Sequence, residues 1–304
     1  MSELRYDGRV AAISGAGRGL GRSYALLLAS RGAKVVVNDP GTSRSGDGTD
    51  PGVAQQVVDE IRAAGGEAVA NVDSVATEAG GKAIIDTALD AFGRIDIVIH
   101  NATINRRGPL RDMAVADFSA IIDVHLHGAF HLVRRAFPLM CDAGYGRIVF
   151  ASSIAGLYGE HNVAAYCAGK GALIGFANGI ALEGAAHGVT CNLIVPAALT
   201  RLAEGRDTSG FPPMQEELVA PAVAWLAHES CTATAELFVA LAGRMAKAFV
   251  TETRGVYQPA WTIDEVAARL PEIEATDQLQ VFKPVPSGFH DHLKYSFAMR
   301  EAQD

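Results

Sequence analysis

Short β-branched runs alternate along this chain with longer stretches in which apolar residues return every three or four positions. The runs at 10–14, 34–38, 68–72, 95–99, 147–151 and 190–195 predict strands. The stretches at 20–31, 53–64, 78–92, 115–140 and 163–187 have helical periodicity and predict helices. Strands alternating with helices predict an α/β fold of βαβ units, with one doubly wound parallel sheet buried on both faces. No internal repeat at solenoid spacing interrupts the pattern.

Two segments break the rhythm. Residues 40–52 are rich in Gly, Ser, Thr and Asp and predict a loop. Residues 199–213 predict a second, flexible loop, bounded by Pro196 and Pro212-Pro213. A helix at 214–228 and a last strand at 237–241 follow. Beyond them the tail is irregular: Thr262-Ile263-Asp264-Glu265 is a capped helix start, and Pro284, Pro286 and Gly288 break up what comes next.

Composition sharpens this picture. The chain has 304 residues, 49% hydrophobic and 20% charged, which is enough apolar material for a large core and excludes a wholly disordered chain. A net charge of −8 opposes nucleic-acid phosphates, so no nucleic-acid partner is expected. One α/β domain commonly ends near about 250 residues, leaving a surplus too small for a second enzyme domain. The expected division is one Rossmann-type α/β domain at 1–243 and a C-terminal extension at 244–304 that is not an independent domain. The four cysteines (Cys141, Cys167, Cys191 and Cys231) lie far apart, with no CxxC pair and no His cluster at metal spacing, so no metal is expected. Early charges at Glu3, Arg5 and Asp7, no apolar run of membrane-crossing length and no peroxisomal C-terminal address suggest a cytoplasmic protein.

The first predicted strand runs into Ser14-Gly15-Ala16-Gly17-Arg18-Gly19-Leu20-Gly21, and a helix follows. Glycines allow a tight turn and close backbone approach to a pyrophosphate, and the helix start offers free N–H groups and a positive dipole end. A glycine-rich turn between packed elements is the plain alternative, but the strand–turn–helix–strand context favours a dinucleotide site on a Rossmann fold. The second strand ends at Asn38-Asp39. The Asp39 carboxylate can accept hydrogen bonds from ribose hydroxyls and repels a 2′-phosphate, which favours NAD over NADP. Arg18 argues the other way, as a cation near a 2′-phosphate, or is simply solvated.

Tyr166 and Lys170 are four apart and share a helix face. An ammonium beside a phenol stabilises phenolate, so Lys170 is expected to pull the Tyr166 pKa down and fit it for proton exchange with an alcohol or carbonyl. An ordinary helical surface pair is the alternative. Ser153 lies past the end of the strand at 147–151, where open parallel sheets place ligands. Its hydroxyl can return beside the phenol, while Ser152 is the candidate for a capping or turn serine.

The glycine turn, Asn101-Ala102, Ser153, Tyr166 and Lys170 together resemble the short-chain dehydrogenase/reductase family over about residues 6–245. The resemblance implies that Tyr166 is the acid/base, that Lys170 lowers its pKa and binds the nicotinamide ribose, and that Ser153 holds the reacting oxygen. It implies cofactor contacts from Gly15, Arg18, Gly19, Leu20, Gly21 and Asp39, an adenine position at Asp73-Ser74, support from Asn101 and Ala102, and closure over the nicotinamide by Pro196 and Thr200. The family's usual Asn-Asn-Ala-Gly stands here as His100-Asn101-Ala102-Thr103. Its fourth catalytic asparagine aligns with His125, whose titration near neutral pH would add a pH dependence. His127 and His131 are expected to be structural or surface residues.

Narrower stretches, among them Val36-Val37-Asn38-Asp39-Pro40-Gly41, Asp90–Asp96, Val124-His125-Leu126 and Trp225–Cys231, are similar to the (3R)-hydroxyacyl-CoA dehydrogenase units of multifunctional enzyme type 2 and to free-standing bacterial relatives. In that subgroup the His125 position is commonly histidine. The resemblance implies NAD-dependent oxidation of a (3R)-3-hydroxyacyl-CoA to the 3-oxoacyl-CoA, and a homodimer or homotetramer. Arg106, Arg107, Arg201, Arg206, Arg244 and Lys247 are candidates for the CoA phosphates. The alternatives are a dehydrogenase of hydroxysteroids or steroid side-chain acyl-CoA thioesters, an NADPH-dependent 3-oxoacyl reductase, and a non-catalytic NAD-binding sensor.

Overall fold

The computed structural model describes residues 3–200 and 209–301; the candidates Arg201 and Arg206 lie outside the described residues. The chain divides into two compact units, 1–247 and 248–304.

The first unit is built on an eight-stranded sheet. Its strands are β1 (Val10–Ser14), β2 (Lys34–Asn38), β3 (Glu67–Asn71), β4 (Ile97–His100), β5 (Gly146–Ala151), β6 (Val189–Ala197), β7 (Leu237–Leu241) and β8 (Arg244–Ala248), in the spatial order 3-2-1-4-5-6-7-8. The first seven are parallel. β8 is a strand that the hydropathy pattern did not predict. Ala242 and Gly243, which join it to β7, both have positive φ, 49° and 80°. That is the signature of a two-residue hairpin turn, so β8 returns antiparallel.

Seven helices cover the two faces: α1 (Gly19–Ser30), α2 (Gly52–Ala63), α3 (Glu78–Phe92), α4 (Val115–Ile122), α5 (Gly128–Asp142), α7 (Ala164–Gly184) and α8 (Ala220–Ala227), with the short α6 (Ile154–Tyr158) before α7. Ala11, Ile13, Val35, Val37, Ile97, Ile99, Val149 and Ala151 alternate along four strands and pack with Tyr24, Leu28, Val57, Ile61, Val223 and Leu226 of α1, α2 and α8. The intervening Ala12, Val36, Val98, Ile148 and Phe150 are equally buried on the other face, which α3, α5 and α7 cover. Apolar residues on both faces produce the near-continuous runs read from the sequence.

The predicted helix at 115–140 is interrupted. Asp123–His127 forms a π turn between α4 and α5. The wider turn changes the phase of the helix, and His125 becomes completely buried while His127 stays exposed, paired through Nδ1 with Asp123 Oδ1 at 2.8 Å. His131 bonds the Val75 carbonyl through Nδ1 at 3.0 Å.

In the second unit β9 (Glu252–Thr253) pairs antiparallel with β10 (Leu279–Gln280). The start of α9 (Ile263–Ala268) carries the expected capping box: Thr262 Oγ1 accepts from Glu265 N at 3.2 Å, and Glu265 Oε2 accepts from Thr262 N at 2.7 Å. α10 (Leu270–Ile273) and α11 (Gly288–Glu301) follow, the latter a helix that the proline-rich sequence before it concealed.

Candidate active site

Strand order reverses between β2-β1 and β4-β5, so the crevice at the C-terminal ends of β1 and β4 is the topological switch point where ligands bind in open parallel sheets. Ser14 ends β1 there, and Asn101 follows β4. Ser14 Oγ accepts from the backbone N–H groups of Asn101 and Ala102, both at 3.2 Å, and lies 3.0 Å from His100 Nδ1. With two donors arriving, the serine proton points to Nδ1. His100 then carries its proton on Nε2 and donates to the His125 carbonyl at 3.0 Å. Burial, with Lys170 adding a smaller push, lowers the His100 pKa to about 3, so the ring is neutral.

The glycine turn closes tightly on this support. A Cβ at Gly15, where φ is +63°, would lie 2.8 Å from Ala102 Cα, and one at Gly21 would lie 2.1 Å from the Gly15 carbonyl oxygen. Asn101 Nδ2 donates to that same oxygen at 3.0 Å. A groove of about 390 Å³ opens over the turn, lined among others by Gly15, Arg18, Gly19, Leu20, Asp39 and Asn101. Ala102, Thr103, Ser74 and Thr200 also line it. α1 begins under this groove with no acidic residue in its first turn. A cradle that only glycine can fill and a helix N-terminus whose own first turn carries no acidic residue fit a dinucleotide pyrophosphate.

Asp39 sits at one wall. Its carboxylate accepts from Gly17 N at 3.1 Å and from Gly41 N at 2.7 Å, which fixes it at the mouth of the turn. The Arg18 guanidinium reaches the carbonyls of Thr42 and Gly41 at 3.4 and 3.5 Å, so it joins the turn to the 40–52 loop. Asp73 does not line the groove; its carbonyl accepts from Asn38 Nδ2 at 2.8 Å and its carboxylate from Asn71 Nδ2 at 2.8 Å, bracing the ends of β2 and β3. Pro196 also lies off the groove lining, within β6 opposite Ala240.

Ser153, Tyr166 and Lys170 come together beside the groove. Ser153 is the N-cap of α6 and accepts from Ala155 N at 3.2 Å, while Ser152 Oγ donates to the Lys170 carbonyl at 2.8 Å. The capping role expected for Ser152 therefore belongs to Ser153. Accepting one bond leaves the Ser153 hydroxyl its own proton, and the Tyr166 phenol lies near enough for that hydroxyl to act on its ionisation. Lys170 is buried, with Nζ donating to the Ala151 carbonyl at 2.7 Å and lying 5.9 Å from the Tyr166 ring centroid. Burial lowers its pKa to about 7.

Two electrostatic expectations are corrected. The Tyr166 phenol is held above its ordinary pKa, because burial outweighs the hydrogen bonds from Ser153 and Thr103 that lower it. His125 does not titrate near neutral pH: burial, then Lys170 and His100, hold it well below the usual histidine range. Its ring stands edge-on to Tyr166, with centroids 5.1 Å apart. The sequence reading also missed Thr103, whose Oγ1 lies 2.8 Å from His125 Nε2. Its place in the otherwise glycine position of His100-Asn101-Ala102-Thr103 was the available signal.

Of the CoA-phosphate candidates, Arg106 is paired with Asp117 at 2.7 Å and Arg107 with Glu160 at 2.9 Å. Lys247 is paired with Glu236 at 2.5 Å. Arg244 is exposed.

Among known proteins, residues 9–206 match the model of the short chain dehydrogenase family. The chain is 48% identical over 254 residues to peroxisomal multifunctional enzyme type 2 of Drosophila melanogaster, which covers 83% of this chain but 42% of that one. It is 42% identical over 271 residues to a short-chain type dehydrogenase/reductase of Mycobacterium tuberculosis, covering 87% and 93%. The chain thus spans less than half of the fly enzyme and nearly all of the mycobacterial protein. The full-length fly enzyme structure superimposes with a TM-score of 0.80 at 35% identity, over 98% of this chain and 50% of that one. A Mycobacterium avium short chain dehydrogenase gives 0.77 at 36%, over 88% and 94%. A parallel sheet with a glycine-lined crevice at its switch point, the Ser153–Tyr166–Lys170 cluster beside it and a family match over most of the first unit have one reading: the chain is an oxidoreductase of the short-chain dehydrogenase family.

Proposed function

We propose that this enzyme oxidises a secondary alcohol to a ketone with NAD, and that its substrate is a (3R)-3-hydroxyacyl-CoA. The observation that carries the reaction is the cluster of the Tyr166 phenol and the Ser153 hydroxyl beside the groove, with Lys170 Nζ 5.9 Å from the Tyr166 ring centroid. Asp39 supports NAD: a carboxylate pinned by two backbone N–H groups at the end of β2 favours ribose hydroxyls and disfavours a 2′-phosphate. The substrate class is supported by the similarity to multifunctional enzyme type 2.

Bound NAD would supply the hydride acceptor, held by the glycine turn, Asp39 and Asn101. Ser153 donates a hydrogen bond to the substrate oxygen and orients it. Ionised to phenolate, Tyr166 takes the substrate hydroxyl proton and becomes the neutral phenol. Lys170 places a positive charge where phenolate forms, and its hydrogen bond to the Ala151 carbonyl holds it there.

The test is NADH formation from straight-chain (3R)-3-hydroxyacyl-CoA thioesters and from free steroid alcohols, with NAD and NADP compared at equal concentration. Thioester turnover with NAD is expected, and Tyr166→Phe should abolish it while retaining NADH binding. Turnover of free steroid alone would refute the substrate assignment, and a strong NADP preference would refute the role of Asp39.

A further inference from the structure

His100 ends β4 with its ring completely buried. Each ring nitrogen has one partner at 3.0 Å: Nδ1 meets Ser14 Oγ, and Nε2 meets the His125 carbonyl oxygen. A carbonyl oxygen only accepts, so Nε2 carries a proton. Ser14 Oγ already accepts from Asn101 N and Ala102 N, both at 3.2 Å, and gives its own proton to Nδ1. Both directions agree only for a neutral ring protonated on Nε2.

The bond to His125 lands in the middle of a rare element. Gly128 N donates to the Asp123 carbonyl, five residues back, and this wide turn sets where the His125 side chain points. Glycines make room for both rings. A Cβ at Gly128, just past the turn, would lie 3.2 Å from His100 Cε1 and 2.9 Å from Val75 Cγ2. One at Gly169 of α7 would lie 2.8 Å from His125 Nδ1. The His125 ring, so confined, stands edge-on to the Tyr166 ring with centroids 5.1 Å apart. Asp123 and Val124 of the same turn line the cofactor groove. The other end of the His100 ring serves the glycine turn: Ser14 holds the Asn101 backbone, and Asn101 Nδ2 donates to the Gly15 carbonyl at 3.0 Å.

We propose that His100 is a positioning residue that ties the π turn to the floor of the cofactor crevice and so holds His125 against the Tyr166 ring. The inference rests on the reading of Tyr166 as the acid/base. Buried and off the groove lining, His100 acts only through these neighbours. Without the Nε2 donor, the His125 carbonyl loses its bond to β4 and the turn beside Tyr166 is released. The glycine turn keeps Ser14 and Asn101, so catalysis suffers before cofactor binding does.

The two ends of the ring are cut separately in the full chain. An asparagine amide sits where Nδ1 does and falls short of the His125 carbonyl, whereas a glutamine amide reaches it. His100→Asn should lower kcat about tenfold with NADH affinity within about twofold of wild type, and His100→Gln should bring kcat back to within about threefold. Kinetics use any secondary alcohol that the wild type oxidises, NADH affinity comes from fluorescence titration, and melting curves check the fold. Wild-type protein with isotope-labelled histidine adds a measurement that depends on no variant. In its assigned NMR spectrum, His100 should be the Nε2–H tautomer at every pH from about 5 to about 9.

Wild-type kcat in His100→Asn overturns the proposal. So does a His100→Gln protein as slow as His100→Asn, a loss of kcat matched by an equal loss of NADH affinity, or a wild-type ring protonated on Nδ1. If kcat falls in His100→Asn and returns in His100→Gln on an alcohol other than a hydroxyacyl-CoA, the positioning role stands and the substrate reading fails. A Tyr166→Phe protein with wild-type kcat refutes the acid/base reading separately.

Discussion

Lys170 carries an ammonium that is only 2% exposed and makes one hydrogen bond, to the Ala151 carbonyl. Its pKa falls from 10.5 to about 7 on burial. The unfolded chain therefore binds a proton that the fold resists, so stability drops as pH falls from about 10 toward 7, and the penalty is complete below that. Lys170→Met removes the buried charge but leaves the Ala151 carbonyl without its donor. The expected result is an inactive protein that is more stable at pH 6 by about 1–3 kcal/mol, with the gain shrinking by pH 9. Thermal melts at the two pH values check it, and an unchanged or lower Tm at pH 6 would contradict it. Ser153, Tyr166 and Lys170 were legible in the sequence because a helical spacing of four and a strand end say where such side chains go. Thr103 was not, because its contact with His125 depends on the phase change at the π turn, which leaves no mark in the hydropathy pattern.

At the scale of elements, the placement of Ser153 depends on α6. This five-residue helix lies against α7 at Gly156, where a Cβ would sit 2.9 Å from the backbone carbon of Lys170 and 3.0 Å from Gly171 N. Neither backbone atom can move without moving α7. Gly156→Ala should push the two helices apart, lower stability by about 1–3 kcal/mol and reduce kcat more than NADH affinity. Melting curves with steady-state kinetics and NADH titration measure this; an unchanged kcat would show that Ser153 is positioned independently of α6. α6 itself escaped prediction because five residues carry no helical period. The strands β1, β2 and β7 were predicted at their observed limits, since each is a short apolar run, buried on both faces in β1 and β2 and partly buried in β7. β8 was hidden because exposed Arg244 and Met245 give an edge strand no apolar run.

Across the whole molecule, burial is uneven. Every buried hydrophobic side chain belongs to the first unit, and none belongs to the described residues of the second, where Ile263, Phe289 and Phe297 are 88%, 71% and 64% exposed. A segment of that size without a core does not fold alone. A chain ending at Lys247 is thus expected to melt cooperatively and to bind NADH within about threefold of the full chain, whereas the isolated 248–304 peptide shows no cooperative transition. Circular dichroism and NADH titration test both; loss of NADH binding on truncation would refute the division. Within the first unit, one strand pairing stands apart. β1 meets β4 at a sequence separation of 86, as at Ser14 and His100, farther than any other pair of hydrogen-bonded parallel strands. Closing that loop is the largest entropic step in assembling the sheet. It is also the step that brings Ser14 to Asn101 and so creates the crevice. Halves of the sheet formed separately have no place for a dinucleotide, and the ability to hold one arrives only when the two halves join during folding.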